Sequence, residues 1–195
     1  METAAEGVTH IILTHGHDDH VGDSVEICKK TGATLVAVFE LAMYLNGQGV
    51  EKVDPTNTGG TVSHDGFDVT FVTALHSSST MIDGKPQYLG NPCGLIIQPN
   101  EGKTIYHMGD TAAMADFACI NDLYQPDIGI VPIGDRFTMG AKSAAFACRR
   151  FFRFETILPC HYGTFPIIDQ TADKFVAEMS GHNVVVPEIG GSVDV

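Results

Sequence analysis

The run Thr14-His15-Gly16-His17-Asp18-Asp19-His20 constrains this chain more than any other stretch of it. It places His15, His17, Asp19 and His20 within six residues, directly after the apolar segment Val8 to Leu13, which reads as a strand. Imidazole nitrogen and carboxylate oxygen are the donors that divalent transition metals prefer. A turn can aim alternate residues at two different points. Four donors on so short a loop therefore point to two adjacent metals rather than one; a polar surface loop is the competing account.

The remaining pattern is that of a layered domain. At 195 residues the chain fits a single domain over 1–195, long enough to bury roughly 70% of its unfolded surface without staples. A helix is expected over Val21 to Lys30, closed by Gly32, then a strand at Leu35 to Val38 and a short helix at Leu41 to Leu45. Residues 46–60, rich in Gly, Asn, Pro and Thr, read as loop. Alternation of Phe67, Val69, Phe71 and Thr73 with Asp68, Thr70 and Val72 predicts a strand leading into Leu75-His76. Two apolar runs at 93–98 and 103–108 predict a hairpin across Pro99-Asn100-Glu101-Gly102. Helices are expected at 112–124, 141–152 and 169–180, and strands at 128–133, 156–159 and 183–186. Each notable His or Asp falls just after a strand, where layered folds gather functional groups.

Charge and cysteine usage narrow the partners. Lys and Arg number 11 against 24 Asp and Glu, a net charge of −13, which repels phosphate backbones and anionic membrane surfaces. Nucleic acid is thereby disfavoured as a partner. The longest apolar stretches fall far short of the ~20 residues that a membrane span needs, and acids stand at Glu2 and Glu6 where a secretory leader carries basic residues. Five cysteines (Cys28, Cys93, Cys119, Cys148 and Cys160) show no zinc-ribbon spacing and no Cys-x-x-Cys pair. Buried, inert thiols in a reduced cytoplasmic protein are the expectation.

His-x-His-x-Asp-His resembles the signature of the metallo-β-lactamase superfamily, and later donors fit that family in order. His76 in Leu75-His76-Ser77-Ser78-Ser79 matches its third histidine, Asp110 in Gly109-Asp110 its bridging carboxylate, and His161 in Pro159-Cys160-His161-Tyr162-Gly163 its last histidine. Together with Pro132-Ile133-Gly134-Asp135-Arg136-Phe137-Thr138-Met139-Gly140, these words are similar to a branch of uncharacterised metal-dependent hydrolases akin to L-ascorbate-6-phosphate lactonases. The resemblance implies an α+β fold, a four-layer αββα sandwich of two mixed sheets flanked by helices. It implies His15, His17 and His76 on a first metal, Asp19, His20 and His161 on a second, and Asp110 bridging the two. The expected cofactors are two divalent metal ions, zinc first, with manganese or iron also fitting the donor set.

The expected activity is hydrolysis of an ester-type bond by a metal-bound hydroxide, with Asp19 or Asp110 as the catalytic carboxylate that moves the proton. The leading substrate is a small-molecule lactone or small phosphorylated ester; the alternatives are a phosphodiesterase or nuclease on the same metal pair, and a metal-binding protein with little activity. Ser77, Arg136 and Tyr162 are candidate substrate contacts, Arg136 because its fork matches carboxylate or phosphate. Phe137 and Met139 suit either the pocket or the core, and His107 suits either ligand support or a strand. His10 and His64 show no partner pattern and read as surface residues. Relatives of this branch begin with a strand pair carrying Gly-His-Ser and Asp-Pro, neither of which precedes His15 here. An N-terminally shortened fold is therefore expected, with an open sheet edge covered by self-association into a homo-oligomer.

Overall fold

The computed structural model describes residues 5–194. Strand β1 (His10–Ile12) leads through the histidine-rich loop into α1 (Asp18–Val21) and α2 (Ser24–Thr31). Gly32 ends α2 in the left-handed region, φ 73°, with its N–H on the Cys28 carbonyl, the helix-closing geometry its position predicts. Strand β2 (Thr34–Val38) and α3 (Phe39–Gly47) follow, then β3 (Val53–Thr56), β4 (Thr61–His64) and β5 (Phe67–Thr73). A small hairpin, β6 (Ser79–Ile82) and β7 (Lys85–Tyr88), precedes β8 (Cys93–Pro99) and β9 (Ile105–His107). The chain closes with α4 (Phe117–Tyr124), β10 (Ile128–Pro132), α5 (Ala141–Phe151), β11 (Thr156–Cys160) and α6 (Asp173–Glu178).

Two sheets carry the layers. The first has the order β1-β2-β3, the second β11-β10-β9-β8-β5-β4. The second sheet is mixed as expected: β9, β10 and β11 run parallel, and β8, β5 and β4 pair antiparallel. The first is parallel throughout, not mixed. Strand β5 shows why the sandwich forms. Val69 and Phe71 join a core with Leu35, Val36, Leu41 and Leu45 of the first sheet and α3, whereas Val72 joins Ile96, Tyr106, Met108 and Phe117 on the opposite face. Strand alternation sends successive side chains to opposite faces, so this one strand binds both cores. Helices α2 and α3 cover the first sheet and α4, α5 and α6 the second, giving the four αββα layers.

Several local expectations change. The predicted loop 46–60 contains β3, a Val-Asp-Pro-Thr segment at the sheet edge, where proline is tolerated because one side needs no ladder donor. The helix expected at 112–124 starts only at Phe117, and that at 169–180 is confined to Asp173–Glu178. The expected strand at 183–186 is reduced to a single bridge, Val184 to Ile157. His10 and His64 are partners after all: their rings lie 4.4 Å apart and both contact Phe67. Residues 1–4, part of the N-terminal stretch behind the shortened-fold expectation, lie outside the described residues.

Candidate metal centre

Four loops, each at the C-terminal end of a strand, deliver the donors. His15, His17, Asp19 and His20 follow β1, His76 follows β5, Asp110 follows β9 and His161 follows β11. These loops are stitched together by the backbone. Cys93 N–H donates to the Thr14 carbonyl at 2.9 Å, Gly16 N–H to Ser78 Oγ at 3.0 Å, and Leu75 N–H to Thr111 Oγ1 at 3.0 Å. The turns bearing the β1 donors, His76 and Asp110 are thus tied to one another or to the start of β8 and are not free to swing.

Glycine makes two close approaches possible. Gly109, at φ 64°, sets Asp110 into the cluster, and a Cβ there would lie 2.6 Å from the Cys93 carbonyl. Gly134 lies flat against His161, and a Cβ there would lie 2.1 Å from the His161 carbonyl oxygen. His161 itself is held at φ 56°, and Asp135 and Arg136 in the facing loop also take positive φ. Non-glycine residues in this region cost of order 1–3 kcal/mol each and persist where surrounding structure holds them.

The donor atoms of His15, His17 and His76 all lie within 4.8 Å of one another, and so do those of Asp19, His20 and His161. Asp110 stands between these two triads. Its Oδ2 is 3.6 Å from His76 Nε2 on one side, and 3.3 Å from His20 Nε2 and 3.1 Å from His161 Nε2 on the other. His15, His20 and Asp110 form a third mutually close group. The Asp110 side chain is 4% exposed, while that of Asp19, 3.7 Å from His161 Nε2, is 37% exposed and faces the cavity.

Electrostatics separate these groups. Burial first, then the neighbouring His20, keeps the His15 imidazole neutral, its pKa lowered to about 2. Burial likewise lowers His76. Burial opposes ionisation of Asp110, yet the hydrogen bond from His161 and the adjacent His20 hold its carboxyl well below the usual range. That same hydrogen bond raises His161 above the ordinary histidine value. His107, accepting the Gly109 N–H at 3.0 Å on Nδ1, is lowered to about 4 by burial and by His20. It stays neutral beneath Asp110 as a supporting strand residue.

The residues present fit divalent metals. His15 Nε2 and His17 Nδ1 face each other at 3.0 Å, near the edge of about 3.3 Å that two nitrogens span around a tetrahedral zinc. Thr14 Oγ1 meets His15 Nδ1 at 3.0 Å, fixing which nitrogen of that ring turns inward. His20 Nε2 is buried, 3.3 Å from Asp110 Oδ2 and 3.5 Å from Asp19 Oδ2 without hydrogen-bond geometry to either; an imidazole nitrogen so placed among carboxylates is one a metal would satisfy.

The sequence candidates for substrate contact divide. Ser77 lines the cavity, its Oγ 3.3 Å from His17 Nε2. Arg136 is exposed, its guanidinium 5.8 Å over the Phe137 ring, and is not among the lining residues. Tyr162 is half-buried against the second core, and Met139 is buried within it. Phe137 lines the cavity, joined by Phe165 and Ile167. These last two escape sequence reasoning because single apolar residues in a loop carry no period, and only their exposure in the folded chain distinguishes them from core. Among the cysteines, Cys119 is exposed rather than buried, and all five are free thiols.

A model of the β-lactamase superfamily domain matches residues 2–162. A UPF0173 metal-dependent hydrolase of Brucella anthropi is 58% identical over 196 residues, spanning 99% of this chain and 83% of that one. A second, from Chelativorans, is 59% identical over 197 residues, spanning 99% and 84%. Among solved structures, the metallo hydrolase Igni18 of Ignicoccus hospitalis superposes with a TM-score of 0.82 at 33% identity, over 94% of this chain and 77% of that one. A metallo-β-lactamase fold protein from Bacillus subtilis, at 15% identity and a TM-score of 0.73 over 96% and 78%, shares the fold. Sequence, layers and donor cluster agree, and the chain belongs to the metallo-β-lactamase superfamily as a metal-dependent hydrolase.

Proposed function

We propose that this hydrolase carries two divalent metals and cleaves a small lactone or a comparable ester, with zinc the first candidate and manganese or iron fitting the same donors. The observation that supports this most is Asp110, whose single buried oxygen lies within 3.6 Å of imidazoles from both triads. When bound, such a pair supplies Lewis acidity toward the scissile oxygen and a water acidified toward neutral pH. The protein's own groups set the rest. Asp110, buried and ionised, draws the two triads together, and its hydrogen bond orients His161. Asp19 is the carboxylate at the cavity that reaches solvent, placed to take a proton from the attacking water and pass it outward. Ser77, beside His17, offers a hydroxyl to a substrate oxygen.

The same donor set supports phosphodiester cleavage, the runner-up. Five free thiols fit the cytoplasm as the compartment, and no helix among the described residues is long and apolar enough to cross a membrane. We also propose a homo-oligomer, because among the described residues β1 has a ladder partner on one side only. Elemental analysis after metal-replete growth, followed by turnover of a lactone panel against bis-p-nitrophenyl phosphate, tests the main reading. Close to two equivalents of metal and preferential lactone hydrolysis are expected. Less than about half an equivalent of metal would remove the two-metal reading.

A further inference from the structure

We propose that the arm of the substrate remote from the scissile bond is uncharged and apolar, an alkyl or aryl group, and that Phe137, Phe165 and Ile167 select it. This rests on the hydrolase reading above and narrows it.

The cavity over the donor cluster has a volume of about 520 Å³, within the size range of small-molecule sites. Its floor is His17, Asp19, His76, Asp110 and His161 with Ser77, and its wall is Phe137, Phe165 and Ile167. These three side chains remain 50%, 41% and 56% exposed. Large apolar side chains gathered around one mouth are costly to leave in water and mark a place where apolar surface is to be covered.

The wall is built rather than incidental. Ile168 is buried, anchoring the loop between β11 and α6 while its neighbours Phe165 and Ile167 turn outward. The Gln170 side-chain amide donates to the Phe165 and Ile168 carbonyls, each at 2.7 Å. Asp169 N–H reaches the Gly134 carbonyl at 2.9 Å, and Gly163 N–H the Asp169 carbonyl at 2.9 Å, tying this loop to the one bearing Phe137. Phe137 N–H in turn donates to the Asp135 carbonyl. These hydrogen bonds and the buried Ile168 hold the loops that carry the apolar side chains at the mouth.

Charge argues the same way. No lysine or arginine is among the residues lining the cavity, and the chain carries a net charge of −13. Metals at the floor would take the reacting carbonyl, so a phosphate elsewhere on the substrate would meet phenyl rings and an isoleucine, with Arg136 beside Phe137 standing outside the lining. Burying a charge without a partner is strongly disfavoured. A phosphorylated lactone, the substrate type suggested by the family resemblance, fits this wall poorly, whereas an alkyl- or phenyl-substituted one fits it well.

The test separates the arm from the reaction by measuring binding as well as turnover. Calorimetric titration of the metal-loaded protein with acetate, butyrate, hexanoate, octanoate and phenylacetate keeps the metal-seeking carboxylate constant and varies the arm; 6-phosphogluconate supplies a phosphorylated one. A fully buried methylene multiplies affinity about fourfold, and about twofold against a half-open wall. Octanoate should therefore bind roughly 30-fold or more tighter than acetate, and tighter than 6-phosphogluconate. Phe165→Ala should reduce the octanoate-to-acetate ratio, and Ile167→Lys should reduce it while improving 6-phosphogluconate. Affinity that is flat across the series, or tightest for 6-phosphogluconate, overturns the proposal. Graded binding with no turnover of γ-butyrolactone or γ-decalactone would retain the apolar site and overturn the lactone reading instead.

Discussion

Gly134→Ala is the substitution whose outcome the geometry fixes most tightly. The added methyl carbon would sit 2.1 Å from the His161 carbonyl oxygen, where contacts of this kind do not fall below 3.0 Å. One of the two backbones must retreat by about 1 Å, the scale of overpacking that costs about 1–3 kcal/mol. Neither retreats freely: Gly134 accepts from Asp169 N–H at 2.9 Å and bridges Gly140, and His161 follows directly on β11. For a chain of this length each kcal/mol lowers Tm by about 2–4 °C, so a fall of about 2–12 °C is expected. The shift also displaces a donor, and a misplacement of about 1 Å at a reacting centre costs about 100-fold in rate. Differential scanning calorimetry and metal content measure the two effects on one sample. Gly47→Ala is the control, because nothing lies within 4 Å of its Cβ position and its φ is not positive; it should be neutral or stabilising by about 0.4–1 kcal/mol. If Gly134→Ala kept the parental Tm and full metal content, the close contact between the two loops would be refuted.

Asp110→Asn removes an anionic group shared by both triads and should lower kcat by at least about 100-fold, with the variant's far-ultraviolet circular dichroism unchanged; near-normal turnover would contradict the bridging role. Ser77→Ala should raise KM more than it lowers kcat if the hydroxyl only holds substrate, as steady-state kinetics will show. In chelated protein, His15 and His76 have folded pKa values below the unfolded one. Their contribution is complete above about pH 6.5 and is lost as pH falls. His161 is raised, so its contribution is complete below about pH 6.5 and is lost as pH rises through the folded value. His15, with its folded value at about 2, stays neutral across this window and sets the sign, so melting curves should show Tm falling between about pH 7 and pH 5. Light scattering at low micromolar concentration should exceed the 20.9 kDa of one chain; a monomer with slow amide exchange along β1 would dismiss self-association through that edge.

The sequence disclosed most where one local rule acted alone. The strand at Phe67–Thr73 matches its prediction at both ends because its alternating residues face two different cores. The donor run after β1 was legible for a similar reason: metal chemistry needs those residue types close together, and no structural role competes for them. Harder positions were those decided by distant partners. Strand β3 has the sequence of a loop, since Asp54 and Pro55 oppose strand propensity, and only its parallel pairing with β2 makes it a strand. Thr111 looks unremarkable in sequence, yet its hydroxyl holds Leu75 N–H next to His76. Phe165 and Ile167 were unreadable, because an apolar residue reserved for a ligand and one reserved for the core are the same letter.

The order in which the donors occur along the chain has a consequence for synthesis. His15, His17 and His76 all lie in the first 76 residues, whereas the other triad waits for His161. A ribosome that has extruded the N-terminal half has already exposed one complete set of three imidazoles, with Asp110 and His161 still to come. Metal captured at that stage would link segments 61 residues apart, a closure whose benefit grows only slowly with loop length. Arrival of His161 would then bring the loop after β11 to the loop after β1, so a second ion there would act as a clasp between segments made early and late. A nascent chain arrested before residue 161 is the form in which the two positions would have unequal occupancy.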